Sequence, residues 1–125
     1  MNNKQIGNAF ERQCCEILSK DGWWVHFISP NRAGAQPFDI IAVRDGEAAA
    51  IDCKTTTRPI FPLSRLEDNQ VLAFEKWGKC GNTNAGLLIR WRHNVYFVEF
   101  ERLLECGKVD LREQDVWRYL NESDS

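Results

Sequence analysis

The sequence predicts a single α/β domain: a mixed β-sheet of about five strands flanked by helices. Three observations carry this. The length of 125 residues is that of one domain. Apolar segments of helical and strand type follow one another in the order α-β-β-β-α-β-β. Two strand segments, Phe38 to Val43 and Ala48 to Lys54, are apolar on both faces, as in a sheet covered from two sides. The expected domain is 1–125, with 108–125 an acidic tail free to pack loosely.

The elements read as follows. Ile6, Phe10, Cys14, Ile17 and Leu18 form one helical stripe over 4–19, closed by Asp21-Gly22. Trp23 to Ile28 is aromatic and β-branched, a strand. Ser29 to Pro37 is a loop by its Pro, Asn and Gly content. Asp45-Gly46 joins the second and third strands as a two-residue hairpin. Thr55 to Leu63, with two prolines, reads as an irregular connection. Ser64 to Glu67 fits a capping box that starts a helix running to Lys79. Ala85 to Arg90 and Val95 to Phe100 are strands joined around His93-Asn94. Glu101 to Leu104 reads as a short helix, and Val116 to Leu120 as a helical turn.

Composition narrows the function classes. Hydrophobic residues at 43% and charged residues at 27% exclude a disordered chain. No apolar run approaches the roughly 18 residues of a membrane helix. No apolar stretch follows Met-Asn-Asn-Lys-Gln, so a secretory signal is not expected, and the five cysteines read as reduced thiols, mostly in the core, of a cytoplasmic protein. The net charge of −2 is unevenly spread. Residues 99–125 hold eight acids and four bases, so the remainder carries +2, which permits phosphate binding. Zinc is disfavoured: His26 and His93 lie 67 positions apart, and no cysteine spacing suits a finger. Core or dimer packing accounts for Trp23, Trp24, Trp77 and Trp91 better than base stacking does.

The hairpin turn has a chemical consequence. With a two-residue loop, opposed residues have numbers that sum to 91, so Arg44 faces Glu47 and Ile40 faces Ile51. Asp39 then faces Asp52, with Cβ atoms about 5 Å apart. A three-residue loop would shift the register by one and separate them. Like charges so placed are destabilising and call for a cation. Lys54 projects to the same side as Asp52. Two carboxylates and an ammonium on one sheet face suit a hard divalent ion, and phosphodiester hydrolysis is the chemistry implied. The competing reading of Asp-Cys-Lys is a solvated ion pair at a strand end. Gln70 shares a stripe with Leu66, Ala73 and Trp77; it is either a buried amide satisfied by backbone or part of the site. Glu11 flanks the first helix's core stripe and, on this feature alone, reads as exposed. Arg32 in the 29–37 loop, with Thr55, Thr56 and Arg58 after the third strand, is a candidate for DNA phosphate contact, and Lys4 and Arg12 could extend that surface.

Pro37-Phe38-Asp39 followed by Asp52-Cys53-Lys54 resembles the PD-(D/E)XK nuclease superfamily, which implies a restriction-endonuclease-like αβββαβ core. Asp52 to Thr56, then Phe61-Pro62-Leu63, Asn69-Gln70 and Gly86 to Arg90, resembles the RecU-type Holliday junction resolvases. That resemblance implies a homodimeric endonuclease, dependent on Mg²⁺ (or Mn²⁺), that cuts four-way DNA junctions. By it, Asp39 and Asp52 would be metal ligands, with the main-chain carbonyl of Cys53 a third. Lys54 would be the catalytic lysine, Glu11 the first-helix glutamate and Gln70 the glutamine that braces the site. The sequence departs in three places. Asp52 stands where RecU proteins usually have Glu. Asn69 replaces the usual His. The long stalk-forming segment between the first two strands is absent. The short chain suits a phage or mobile-element form. The alternatives are a nuclease of the same superfamily with nicking or restriction-type specificity, one directed at RNA, and a non-catalytic DNA-binding homologue.

Overall fold

A computed structural model describes residues 3–28 and 37–120, with side chains from Ala9 onward. It contains α1 (Asn3–Lys20), β1 (Trp24–Phe27), β2 (Ile40–Arg44), β3 (Glu47–Thr56), β4 (Ile60–Pro62), α2 (Asp68–Lys79), β5 (Asn84–Trp91), β6 (Asn94–Glu99), α3 (Phe100–Cys106), β7 (Lys108–Asp110) and β8 (Val116–Tyr119). Six strands form one mixed sheet in the order β1-β2-β3-β5-β6-β8, and β4 pairs with β7 in a small separate ribbon. Only the β3–β5 pairing in the large sheet is parallel; α2 makes the crossover between them.

Strand alternation divides the core into two layers. Ala49, Ile51 and Cys53 of β3 and Leu88 of β5 meet Phe10, Cys14 and Leu18 of α1. Ala50 of β3, with Leu87 and Ile89 of β5, meets Phe74 of α2, Leu103 of α3 and Phe61 of β4. Asp52 and Lys54 share the parity of Ala50, so they belong to the α2 side.

The Asp45-Gly46 turn has positive φ at both residues, 52° and 78°. That is the backbone of a type I′ turn, whose twist matches paired strands. The β2–β3 register runs from Arg44–Glu47 to Ile40–Ile51 and the ladder ends there. Asp39 does not pair across from Asp52 as the register alone predicts, because its N–H bonds Ile51 O and its carboxyl takes the Cys53 N–H.

Several expectations need correction. The helix after the Phe61-Pro62-Leu63 segment starts at Asp68, not Ser64, because the capping box is built by Glu67 and Gln70; residues Leu63–Arg65 form a 3-10 turn. The region read as an irregular connection contains β4 and the last residues of β3. Val116–Tyr119 is a strand rather than a helical turn, because pairing with β6 overrides the weak local preference. The segment 108–120 is not loosely packed: Val109, Leu111 and Leu120 are buried. Cys80 and Cys106 are exposed, whereas Cys14 and Cys53 are buried between α1 and β3.

Gly86 on β5 lets β6 approach. A Cβ there would lie 2.5 Å from the Val98 carbonyl oxygen and 2.8 Å from the Phe97 ring. Gly86→Ala should therefore destabilise the fold by about 1–3 kcal/mol, read as a lower denaturant midpoint at unchanged slope.

Candidate active site

The site is built where β2 begins, beside the later residues of β3. Asp39 sits just before β2, its main chain held on both sides: Ile28 N donates to its carbonyl at 2.7 Å, and its own N–H donates to Ile51 O at 3.1 Å. Phe38, stacked on Phe74 and edge-on to Trp77, anchors the preceding residue in the core. From there Asp39 Oδ2 accepts a hydrogen bond from Cys53 N at 2.8 Å. It thus takes the ladder position that β2 has vacated. A strand residue turns its N–H and C=O to the same edge, so the Cys53 carbonyl faces the Asp39 side as well.

Asp52 is 1% exposed, and its carboxyl lies within hydrogen-bonding reach of Asp39. Burial, then the Asp39 charge, push Asp52 up to about 8, against the opposing pull of Lys54. The Lys54 ammonium lies 3.3 Å from Asp52 Oδ2, an ion pair whose angles do not make a hydrogen bond, and this buried oxygen accepts none. A buried carboxylate oxygen so left, beside a second carboxylate, fits a divalent cation as its missing partner.

Gln70 is a buried amide satisfied in part by backbone, and it also touches Lys54. Its Oε1 accepts from Glu67 N at 3.2 Å, closing the cap of α2, and from Lys54 Nζ at 3.3 Å. One oxygen ties the start of the crossover helix to the ammonium. Glu11 is half-buried rather than exposed, and α1 carries it close to Asp39 and Lys54. Burial first, then Asp39, push it up to about 7 while Lys54 lowers it.

The structure therefore brings Asp39, Asp52, Cys53, Lys54, Gln70 and Glu11 together. Among the described residues no three side chains of His, Cys, Asp or Glu converge as a metal cluster, so an ion here would rely on the Asp39–Asp52 pair, main chain, substrate and water. Thr55, Thr56 and Arg58 lie beyond Lys54 and line a cleft of about 940 Å³. Arg32 and the Lys4 side chain lie outside the described residues. Arg65, Arg90 and Arg92 line the same cleft and were not singled out in the sequence. The signal that could have found Arg90 is the β3–β5 register, which sets Thr55 beside it, a long-range pairing that no local pattern reveals.

Comparison with known proteins gives a family and a fold. The family model described as archaeal Holliday junction resolvase (Hjc) matches residues 2–116. A curated relative, crossover junction endodeoxyribonuclease Hjc of Methanocaldococcus jannaschii, is 30% identical over 70 residues, 56% of this chain and 50% of that protein. The chain thus matches about half the length of this relative. Among solved structures, Archaeoglobus fulgidus Hjc, a Holliday junction resolvase, has a TM-score of 0.62 at 22% identity, over 81% of this chain and 84% of the other. The bacterial homing endonuclease I-Ssp6803I has a TM-score of 0.60 at 15% identity, over 98% and 83%. These two likenesses give the fold: a nuclease-type mixed sheet in one α/β domain.

The two raised carboxyls make a prediction for the metal-free protein. Folded Asp52 and Glu11 hold protons that the unfolded chain releases near pH 4, so stability falls as pH rises through the window ending near 7 and 8. The melting temperature in chelator should be higher at pH 5 than at pH 9, Asp52→Asn should flatten that dependence, and added Mg²⁺ should raise the pH 9 value in the unaltered chain alone.

Proposed function

The chain belongs to the archaeal Holliday junction resolvase (Hjc) family, and from that premise we propose that it is a divalent-metal-dependent DNA endonuclease that cuts four-way junctions. The observation that carries this is the buried Asp39–Asp52 pair with Lys54 3.3 Å from Asp52 Oδ2. Asp39, Asp52 and the Cys53 carbonyl would hold Mg²⁺, or Mn²⁺ in its place. A bound ion of this kind supplies Lewis acidity toward a phosphoryl oxygen and lowers the pKa of water.

The chain's own residues do the rest. Lys54 orients the attacking water and stabilises charge that develops on the phosphoryl oxygens. Gln70 is a positioning residue: it fixes the ammonium through Oε1 and takes its own rigidity from the α2 cap. Glu11, titrating near neutrality, holds a proton or a water beside the carboxylate pair. Thr55, Thr56 and Arg58 would meet the backbone next to the cut. Arg32 keeps its proposed contact on sequence grounds alone.

Two copies acting about a two-fold match the pseudo-symmetry of a four-way junction. Large apolar side chains left in water at Trp24 and Leu72 supply material for such an interface. The RecU-type reading is a finer one than the family match. It is supported by the Phe61-Pro62-Leu63 to Gln70 crossover, whose amide touches the lysine. A DNA substrate also supports the cytoplasmic reading, and no described helix is long and apolar enough to cross a membrane.

Cleavage of a fixed four-way junction and of its linear arms, with and without Mg²⁺, tests the proposal. The junction should be cut and the arms spared, and only with the ion present. Equal cutting of both would reassign the specificity to duplex DNA. Lys54→Ala should lower the cleavage rate by about 10²–10³ with junction binding retained; unchanged cleavage would remove the catalytic reading.

A further inference from the structure

We propose that the cleft at the C-terminal end of β3 binds the phosphodiester backbone on one side of the scissile phosphate, with Arg58, Arg65, Arg90 and Arg92 as its anion-binding groups. This rests on the DNA nuclease reading and deepens it. The chain is acidic overall, at −2, yet four of its ten arginines line one cleft of about 940 Å³. No acidic side chain among the described residues lines it, and none of the four is in an ion pair there. Clustered like charges disfavour the fold unless an anion offsets them.

Three of the four guanidinium groups are positioned without carboxylates. Arg65 Nη2 donates to Thr55 O at 2.9 Å and its guanidinium lies 5.0 Å from the Phe61 ring centroid. Arg90 Nε donates to Arg92 O at 3.0 Å, and Arg92 lies over Trp91 at 4.7 Å. The Thr56 hydroxyl donates to Arg58 O and accepts from Arg58 N, both at 3.1 Å, which fixes the turn that presents Arg58. These contacts leave donors on each guanidinium for a planar, bidentate oxyanion partner. Holding the side chains in advance reduces the ordering cost of binding.

The position selects the ligand. Thr55 follows Lys54 directly, roughly 3.3 Å along the strand, and pairs with Arg90 on β5. The cleft therefore opens beside the lysine and to one side of it. A free small anion would not need that adjacency; a chain of phosphates that already has one member at Lys54 does.

The test is the salt dependence of binding to a fixed four-way junction, measured by fluorescence anisotropy in chelator so that no cutting occurs. Each phosphate contact contributes about 0.9 to the slope of log affinity against log salt. Arg58 and Arg92 are exposed, and asparagine tolerates the positive φ of 60° at Arg92. The Arg58→Gln/Arg92→Asn variant should lower the slope by about 1.8. The Arg58→Lys/Arg92→Lys variant should keep the slope and bind severalfold more weakly, having charge without the fork. Arg102→Gln, on exposed α3, should match the unaltered chain. An unchanged slope in the first variant, or an equal change in the Arg102 variant, would overturn the cleft assignment while the nuclease reading stands. Failure of the unaltered chain to bind any DNA would overturn that reading and the cleft with it.

Discussion

The two-residue turn at Asp45-Gly46 sets the rest of the site. Positive φ at both residues fixes loop length, loop length fixes the β2–β3 register as far as Ile40–Ile51, and Asp39, bonded just beyond it to Ile51 O and Cys53 N, comes beside Asp52. Two carboxyls held together in a largely apolar setting are unfavourable in isolation. At Asp52 burial is the larger cost and repulsion by Asp39 follows; one ammonium at 3.3 Å offsets part of it. Local conflict of this kind is expected where a fold gives up stability for function.

Support for the site comes from both layers of the core. From one side α1 delivers Glu11 to the carboxylate pair, packed through Phe10 and Cys14 against β3. From the other, the first turn of α2 delivers Gln70, whose oxygen belongs at once to the helix cap and to Lys54. Helix start and the Lys54 ammonium are coupled by a single acceptor. A change that loosened the cap would also release the ammonium, even with Asp39 and Asp52 in place. Beyond Lys54 the same strand runs into the arginine-lined cleft, so the carboxylate pair, the lysine and the cleft follow one another along β3.

Much of this was legible because it is local. The hairpin dipeptide, the period-two apolar pattern and the stripe on the first helix each act within a few residues, and together they give the α/β class and the β2–β3 register as far as Ile40–Ile51. The last step, where Asp39 leaves the ladder and bonds Cys53 N through its carboxyl, is not local pattern. The Gln70 oxygen was half-legible: periodicity marks it as a polar group on an apolar face, and only the structure gives its two donors. What was missed depends on distant pairing. Val116–Tyr119 is a strand because β6 has a free edge, and 108–120 is packed because Val109 and Leu111 meet the α2 side of the sheet. Ser64 fits the capping-box pattern, but Glu67 three residues on makes the same bonds with Gln70 and fixes the later start. The arginines of the cleft come from three separate segments, which become neighbours only through the parallel β3–β5 pairing.

The central claim is that this register exists to seat one divalent cation between two carboxyls. A crystal structure of the protein grown with Mn²⁺, with anomalous data collected at the manganese edge, addresses it directly. The account predicts a single strong peak per chain in contact with both the Asp39 and Asp52 carboxyls, lost in Asp52→Asn. A peak bound away from this pair, or one touching Asp39 and Asp52 in the unaltered protein and persisting undiminished in Asp52→Asn, would contradict it.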